Sequence, residues 1–313
     1  MDLTGQVVPF RFTERDMMGS GSVSNVFRMD RYIAVKTPIL YHPDDLLSDE
    51  QAERSAVSLI SIAREKAVYD ALNNNPHPHI LQTILHTTVP IAIFMPLMLH
   101  SLGHWMEIER PSAPSPLRLR WVKEVASAAE HLEAMGLVHG DIRPANVLLA
   151  SDMHIKLADF DSCVQKGEEC EAFTVPFHDA YEEVATHKSE QFAIGSFIYT
   201  LFTGHEPELH ITGRELLAET LPNTEAILGG EIILKCWKKG YESVAAVAED
   251  IYDLDLDDDG RDGDESETRS VNGSDTHSSR LRVNGHAGPE VMSAERIAEL
   301  REVCRTWINV RAS

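Results

Sequence analysis

Residues 138–149 read Val-His-Gly-Asp-Ile-Arg-Pro-Ala-Asn-Val-Leu-Leu, and Ala158-Asp159-Phe160 follows after a short interval. These segments place an acid (Asp141), an amide five residues on (Asn146) and a second acid (Asp159) beside short apolar runs. Phosphoryl transfer from a nucleotide needs such a set. One carboxylate orients the attacking hydroxyl, while a carboxylate and an amide hold the metal ions that neutralise the phosphates. Two upstream features complete the chemistry. Gly19-Ser20-Gly21 sits between two runs of β-formers, where absent side chains let backbone approach a phosphate. Lys36 ends Ile33-Ala34-Val35-Lys36 and can bring a cation to the same phosphates.

These residues need elements to position them. The first third of the chain predicts strands and one helix. Residues 10–18 lead into the glycine turn, a tight turn follows at Met29-Asp30-Arg31, and residues 32–36 form a strand. Ser48-Asp49-Glu50-Gln51 fits a capping box for a helix running to about residue 72, with Val57, Ile60, Ala67, Val68 and Ala71 as its apolar stripe. Residues 80–85 and 91–95 predict two more strands. Ser115-Pro116 starts a helix that Gly136 closes, with Trp121, Val125, Leu132 and Met135 on one face. Residues 190–202 predict a fully buried helix, and residues 230–237 and 243–251 two further helices.

The catalytic segments resemble those of the protein kinase family, H-R-D-L-x-x-x-N followed by D-F-G. Ile33-Ala34-Val35-Lys36 is similar to the family's V-A-I-K strand, and the stretch 190–207 resembles its central buried helix and exit turn. The match covers about residues 10–251. It implies an α+β, two-lobed protein-kinase-like fold with a β-rich N-lobe (about 1–98) and a helical C-lobe (about 99–251). It also implies ATP and Mg²⁺ as cofactors, and transfer of the γ-phosphate to Ser or Thr of a protein substrate. Asp141 would position the substrate hydroxyl, Arg143 would steady the γ-phosphate, and Asn146 and Asp159 would bind metal. Lys36 would grip the phosphates with Glu65 as its carboxylate partner. Gly19, Ser20, Gly21, Val26, Met95 and Leu97 would surround the nucleotide.

The pattern is broken in several places. Gly140 replaces the arginine that pairs with an activation-loop phosphate, so switching by phosphorylation at Ser162 or Thr174 is not expected. Ser24 stands at the third glycine, Asp161 at the glycine of D-F-G, and Glu190 at the usual aspartate that orders the catalytic loop; no Ala-Pro-Glu is found. Glycine would supply positive φ at position 161, and aspartate supplies it less well. Two other readings stay open: a catalytically impaired scaffold that binds nucleotide or partners, and an aminoglycoside- or choline-type small-molecule kinase, which shares H-G-D-x-x-x-x-N.

The formal charge is −22; residues 249–267 hold eleven acids against Arg261 alone, so the remainder of the chain is acidic too. Nucleic acid and anionic membrane would be repelled, and a basic partner attracted. No apolar run reaches the ~18 residues of a membrane span. The N-terminus has no signal-peptide pattern, and the four cysteines show no C-x-x-C pair. A cytoplasmic or nuclear location is expected. Residues 252–290 predict a disordered acidic linker. Asp255-x-Asp257-x-Asp259-Gly260 opens like a calcium loop, but its twelfth position is Ser266, so a solvated linker is the reading. Residues 291–313 predict an amphipathic helix with Ile297, Leu300, Val303, Cys304, Trp307 and Ile308 on its stripe.

Overall fold

The computed structural model describes residue 3 and residues 5–42, 48–108, 115–209, 211–212, 215–216, 221–256 and 291–312. Strands β1 (Met17–Ser20), β2 (Ser24–Arg28) and β3 (Ile33–Pro38) form an antiparallel meander. Asp30 sets the β2–β3 turn, its Oδ1 accepting from the amides of Tyr32 at 2.7 Å and Ile33 at 2.9 Å. Helix α1 (Asp49–Asn74) follows, with the Ser48–Gln51 capping box closed in both directions. Strands β4 (Leu85–Thr88) and β5 (Ile91–Pro96) complete a five-stranded sheet in the order β1-β2-β3-β5-β4.

The period of two along a strand gives this sheet two unlike faces. Register pairs Val26 with Lys36 and Lys36 with Ile93 on one face, and Phe27 with Val35 and Val35 with Phe94 on the other. The first face looks to the α1 side and the cleft. The second is covered by the last helix.

Below the sheet come β6 (His100–Ser101), α2 (Leu102–Ile108), α3 (Ser115–Ala134) and β7 (Leu137–Val138). Strands β8 (Val147–Leu149), β9 (Ile155–Leu157) and β10 (Val164–Gln165) pair as β6-β8-β9 and β7-β10, and these small ladders frame the catalytic segments. Helix α4 (His187–Thr203) is buried from Ser189 to Leu201, and Gly204 at φ 79° caps it. Gly195 lets α5 (Gly230–Trp237) press against it; a Cβ there would lie 2.7 Å from that of Cys236. Helix α6 (Val244–Tyr252) begins on the Ser243 cap.

The final helix, α7 (Ala294–Ala312), lies on the outer face of the N-lobe sheet. Leu300 and Cys304 are buried with Phe10, Phe27, Val35 and Phe94. The Trp307 ring centroid sits 5.4 Å from that of Phe10 and 5.3 Å from that of Phe12. Arg301 Nε donates to the Ile84 carbonyl at 2.7 Å. Trp307 is thus a packing residue, while Val303 of the expected stripe is 45% exposed.

Two other expectations are corrected. The α1 stripe was assigned to the wrong face. Ser58, Ile62, Glu65, Tyr69 and Leu72 are buried, whereas Val57 is 48% and Ile60 61% exposed. The helix turns Glu65 inward together with Ile62, Tyr69 and Leu72, and Val57 and Ile60 rotate out. Residues 80–84 are not a strand: the chain makes a single bridge from Ile80 to Leu157, and the strand proper starts at Leu85. The four cysteines are all free, three of them buried. Most of the acidic stretch, including the calcium-like loop after Leu256, lies outside the described residues.

Candidate active site

Lys36 sits mid-sheet on β3, and its side chain is only 6% exposed. A lysine so buried needs counter-charge. Its Nζ lies 2.6 Å from Glu65 Oε2 on α1 and 2.6 Å from Asp159 Oδ1 beyond β9. Burial opposes its charge, but the two carboxylates outweigh burial and hold Lys36 well above the usual lysine range. Burial pushes Glu65 up to about 7, with Lys36 pulling against it. Despite a desolvation cost, Lys36 holds Asp159 below the ordinary carboxylate range. With one cation between two acids, the charge settles on Asp159 and the proton favours Glu65.

A cleft of about 870 Å³ opens beside this ion pair. Gly19, Ser20, Gly21, Val26, Lys36, Met95 and Leu97 all line it, as do Asn146 and Asp159. The turn between β1 and β2 forms its roof, closed by the Gly21 amide donating to the Ser24 carbonyl at 2.8 Å. Arg54 of α1 donates to the Ser22 carbonyl at 3.1 Å and ties the turn to the helix. Sequence reasoning missed Arg54. It acts across more than thirty residues on a backbone oxygen and leaves no local signal.

The floor is the segment between β7 and β8. Asp141 is 8% exposed. Its Oδ2 accepts from Asn146 Nδ2 at 2.6 Å and Arg143 Nε at 2.9 Å, while its Oδ1 is buried with no partner among the described residues. Such an orphan acceptor calls for a donor from outside. His139 is fully buried; its Nδ1 accepts from the Asp141 amide at 3.2 Å, so Nε2 carries the proton and meets the Ala158 carbonyl at 3.1 Å. Glu190, at the start of α4, accepts from the amides of His139 at 3.0 Å and Gly140 at 2.9 Å. Burial raises the Glu190 pKa, and the two N–H donors pull it back.

Gly140 has a steric reason. It adopts φ 79°, and a Cβ there would stand 2.8 Å from the Ser162 carbonyl. The loop after Asp159 closes directly on this glycine. Positive φ also occurs at Asp159 (66°), while Asp161 is outside the positive-φ set among the described residues. The expectation of left-handed backbone at 161 is therefore corrected: aspartate there carries no conformational cost of that kind. Phe160 is fully buried against Tyr69 and His139, and its amide donates to Glu65 Oε1 at 3.3 Å. Burial, then the charge of Asp159, raises the pKa of Asp161.

The segment that lacks Ala-Pro-Glu is anchored by other means. Lys239 Nζ lies 2.7 Å from Asp179 and 2.6 Å from Glu182. Ser196 Oγ of α4 donates to the Pro176 carbonyl at 2.6 Å and accepts from Trp237 Nε1 at 3.0 Å. The role of Lys239 was not readable from the sequence, because its partners lie more than fifty residues upstream.

The donor set can be tested against a metal-nucleotide. Asn146 commits its amide nitrogen to Asp141, also reaching the Asp141 carbonyl at 2.9 Å, which leaves its oxygen as the end able to meet a cation. The described residues contain no preformed cluster of three or more His, Cys, Asp or Glu for a metal. Two protein oxygens, from Asp159 and Asn146, suit a divalent cation that completes its shell with phosphate oxygens and water. The residues fit the group. No described helix is long and apolar enough to cross a membrane.

Comparison with known proteins agrees with this geometry. A family model described as the protein kinase domain matches residues 12–255. The serine/threonine-protein kinase PknL of Mycobacterium tuberculosis is 26% identical over 249 residues, covering 73% of this chain and 59% of that protein. The 3-phosphoinositide-dependent protein kinase 1 of Arabidopsis thaliana is 28% identical over 221 residues, covering 63% of this chain and 43% of its own length. The chain thus spans less than two thirds of the length of these curated relatives. A β-rich lobe, a helical lobe and a lysine–glutamate–aspartate cluster at their junction, together with the family match, establish that this chain belongs to the protein kinase family.

Proposed function

We propose that this protein transfers the γ-phosphate of ATP to a serine or threonine hydroxyl of a protein, with Mg²⁺ as the cation. The observation that carries this reading is the pairing of Lys36 with both Glu65 and Asp159 at 2.6 Å, beside the unpartnered buried Oδ1 of Asp141. Lys36 binds and orients phosphates from the sheet side. Val26, Met95 and Leu97 offer apolar surface to a base on the inner wall of the cleft. Asp141 takes the hydrogen bond of the incoming hydroxyl at Oδ1, and its Oδ2 stays fixed by Asn146 and Arg143. Arg143, 35% exposed at its side chain, can swing a guanidinium toward the transferred group. Mg²⁺ bound through Asp159 and Asn146 would neutralise phosphate charge. Asp161 lies outside the positive-φ set, so aspartate at that position bears no left-handed backbone cost.

The kinase domain covers 12–255, and we assign α7 to it as a structural annex of the N-lobe. Residues 257–290, between them, lie outside the described residues. Incorporation of labelled phosphate into generic protein substrates tests the activity. Asp141→Asn should lower it by roughly 10²–10⁴-fold. Equal incorporation by wild type and variant removes Asp141 from the reaction.

A further inference from the structure

A second hollow, of about 500 Å³, lies on the far side of the glycine-rich turn. It shares Gly21, Ser24 and Asp159 with the nucleotide cleft, so the two are neighbours across one loop. Asp141 and its orphan Oδ1 line it too. A hydroxyl held at Asp141 therefore has its flanking residues in this space.

Two features of the hollow are not needed by the fold. Val57 and Ile60 of α1 and Phe173 of the segment before α4 are 48%, 61% and 54% exposed, yet they line this one opening. Apolar side chains that converge from separate elements and stay open to solvent mark a surface that receives another apolar group. The second feature is a charge imbalance. Asp141 is paired with Arg143 at 2.9 Å, Asp159 with Lys36 at 2.6 Å and Glu171 with Arg64 at 2.8 Å. Asp161 accepts a hydrogen bond from Ser162 Oγ at 3.0 Å and forms no ion pair among the described residues. A partly desolvated carboxylate gains most from a cation supplied by a ligand. The net charge of −22 favours the same sign of partner at long range.

We infer that this hollow is a specificity site for basic protein substrates. It seats an arginine or lysine that flanks the acceptor hydroxyl on Asp161, and an adjacent aliphatic side chain between Val57, Ile60 and Phe173. The inference rests on the kinase reading above and adds to it the chemistry of the substrate.

Fluorescence anisotropy with the full-length protein tests it directly. Three labelled peptides are compared: a serine flanked by arginine and leucine, the same peptide with glutamate for arginine, and the same with serine for leucine. The arginine–leucine peptide should bind about tenfold tighter than the glutamate form. Asp161→Asn should erase most of that preference, and Ile60→Ser the contribution of leucine. Glu249→Gln, on the exposed face of α6, should change neither, which separates a local site from general attraction by an acidic protein. Melting curves verify that each variant folds. Equal affinity for the arginine and glutamate peptides, or a preference that survives Asp161→Asn, overturns the inference. Phosphate transfer to the same peptides is read separately. No transfer with intact Asp161-dependent binding sinks the enzyme reading alone. Transfer to both peptides at equal kcat/KM sinks the specificity site alone.

Discussion

At the scale of single residues, the site is governed by which charges are left to compete. Lys36 is shared by two acids, and burial pushes Glu65 up to about 7. The folded protein therefore keeps a proton on Glu65 that the unfolded chain releases near 4.5. That contribution to stability is fully present below 4.5 and is lost as pH rises through about 7. Between pH 5 and 8, wild type should lose stability relative to Glu65→Gln by on the order of 3 kcal/mol, followed by chemical denaturation at each pH. Parallel pH curves for the two proteins contradict this. Gly140 is the other residue whose identity is dictated locally. Restoring the arginine that its family carries, Gly140→Arg, forces a side chain into positive φ and against the Ser162 carbonyl. The backbone term alone should cost about 1–3 kcal/mol. An unchanged denaturation midpoint would show that the loop after Asp159 yields more easily than its contacts suggest.

At the scale of elements, helices α1 and α7 sandwich the N-lobe sheet with opposite logic. Helix α1 turns Ile62, Tyr69 and Leu72 into the core, sets the buried carboxylate of Glu65 among them, and leaves Val57 and Ile60 outside, so its inward stripe serves an ion pair as well as packing. Ile62→Ala should cost about 2–5 kcal/mol, since the side chain is 2% exposed, whereas Ile60→Ser should stay within about 0.5 kcal/mol of wild type. Helix α7 is an ordinary amphipathic cover on an aromatic face formed by Phe10, Phe12, Phe27 and Phe94. Trp307→Ala should lower stability by about 2–4 kcal/mol, measured by denaturant midpoint. Strand β3 links the two: Val35 faces α7 and Lys36 faces the cleft, one residue apart.

At the scale of the whole molecule, both lobes contribute to one cleft. Lys36 comes from the sheet and Asn146 and Asp159 from the segments around β8 and β9. A ligand that binds only when these parts are assembled stabilises the fold by mass action. ATP with Mg²⁺ at a hundredfold excess over its dissociation constant should add about 2.7 kcal/mol. The rise in Tm should shrink sharply in Lys36→Met. An identical rise in that variant would move the nucleotide elsewhere.

Much of this was open to reading in the chain itself. The order of Lys36, Asp141, Asn146 and Asp159, the capping box of α1, and the buried run of α4 are local patterns; each depends on neighbours within a few residues. The two-lobed protein-kinase fold follows from those segments taken together. Other features were decided in three dimensions. The rotation of α1 about its axis is set by what its inward face meets, Lys36 at Glu65 and the core at Ile62, Tyr69 and Leu72, so periodicity pointed to the wrong stripe. Positive φ falls at Asp159 and not at Asp161, and no local pattern in the chain marks it. Lys239 and Arg54 find partners across long stretches of sequence, where composition says nothing. The identity of a side chain is written in one place, but its counter-charge is chosen by whatever the folded chain brings within reach.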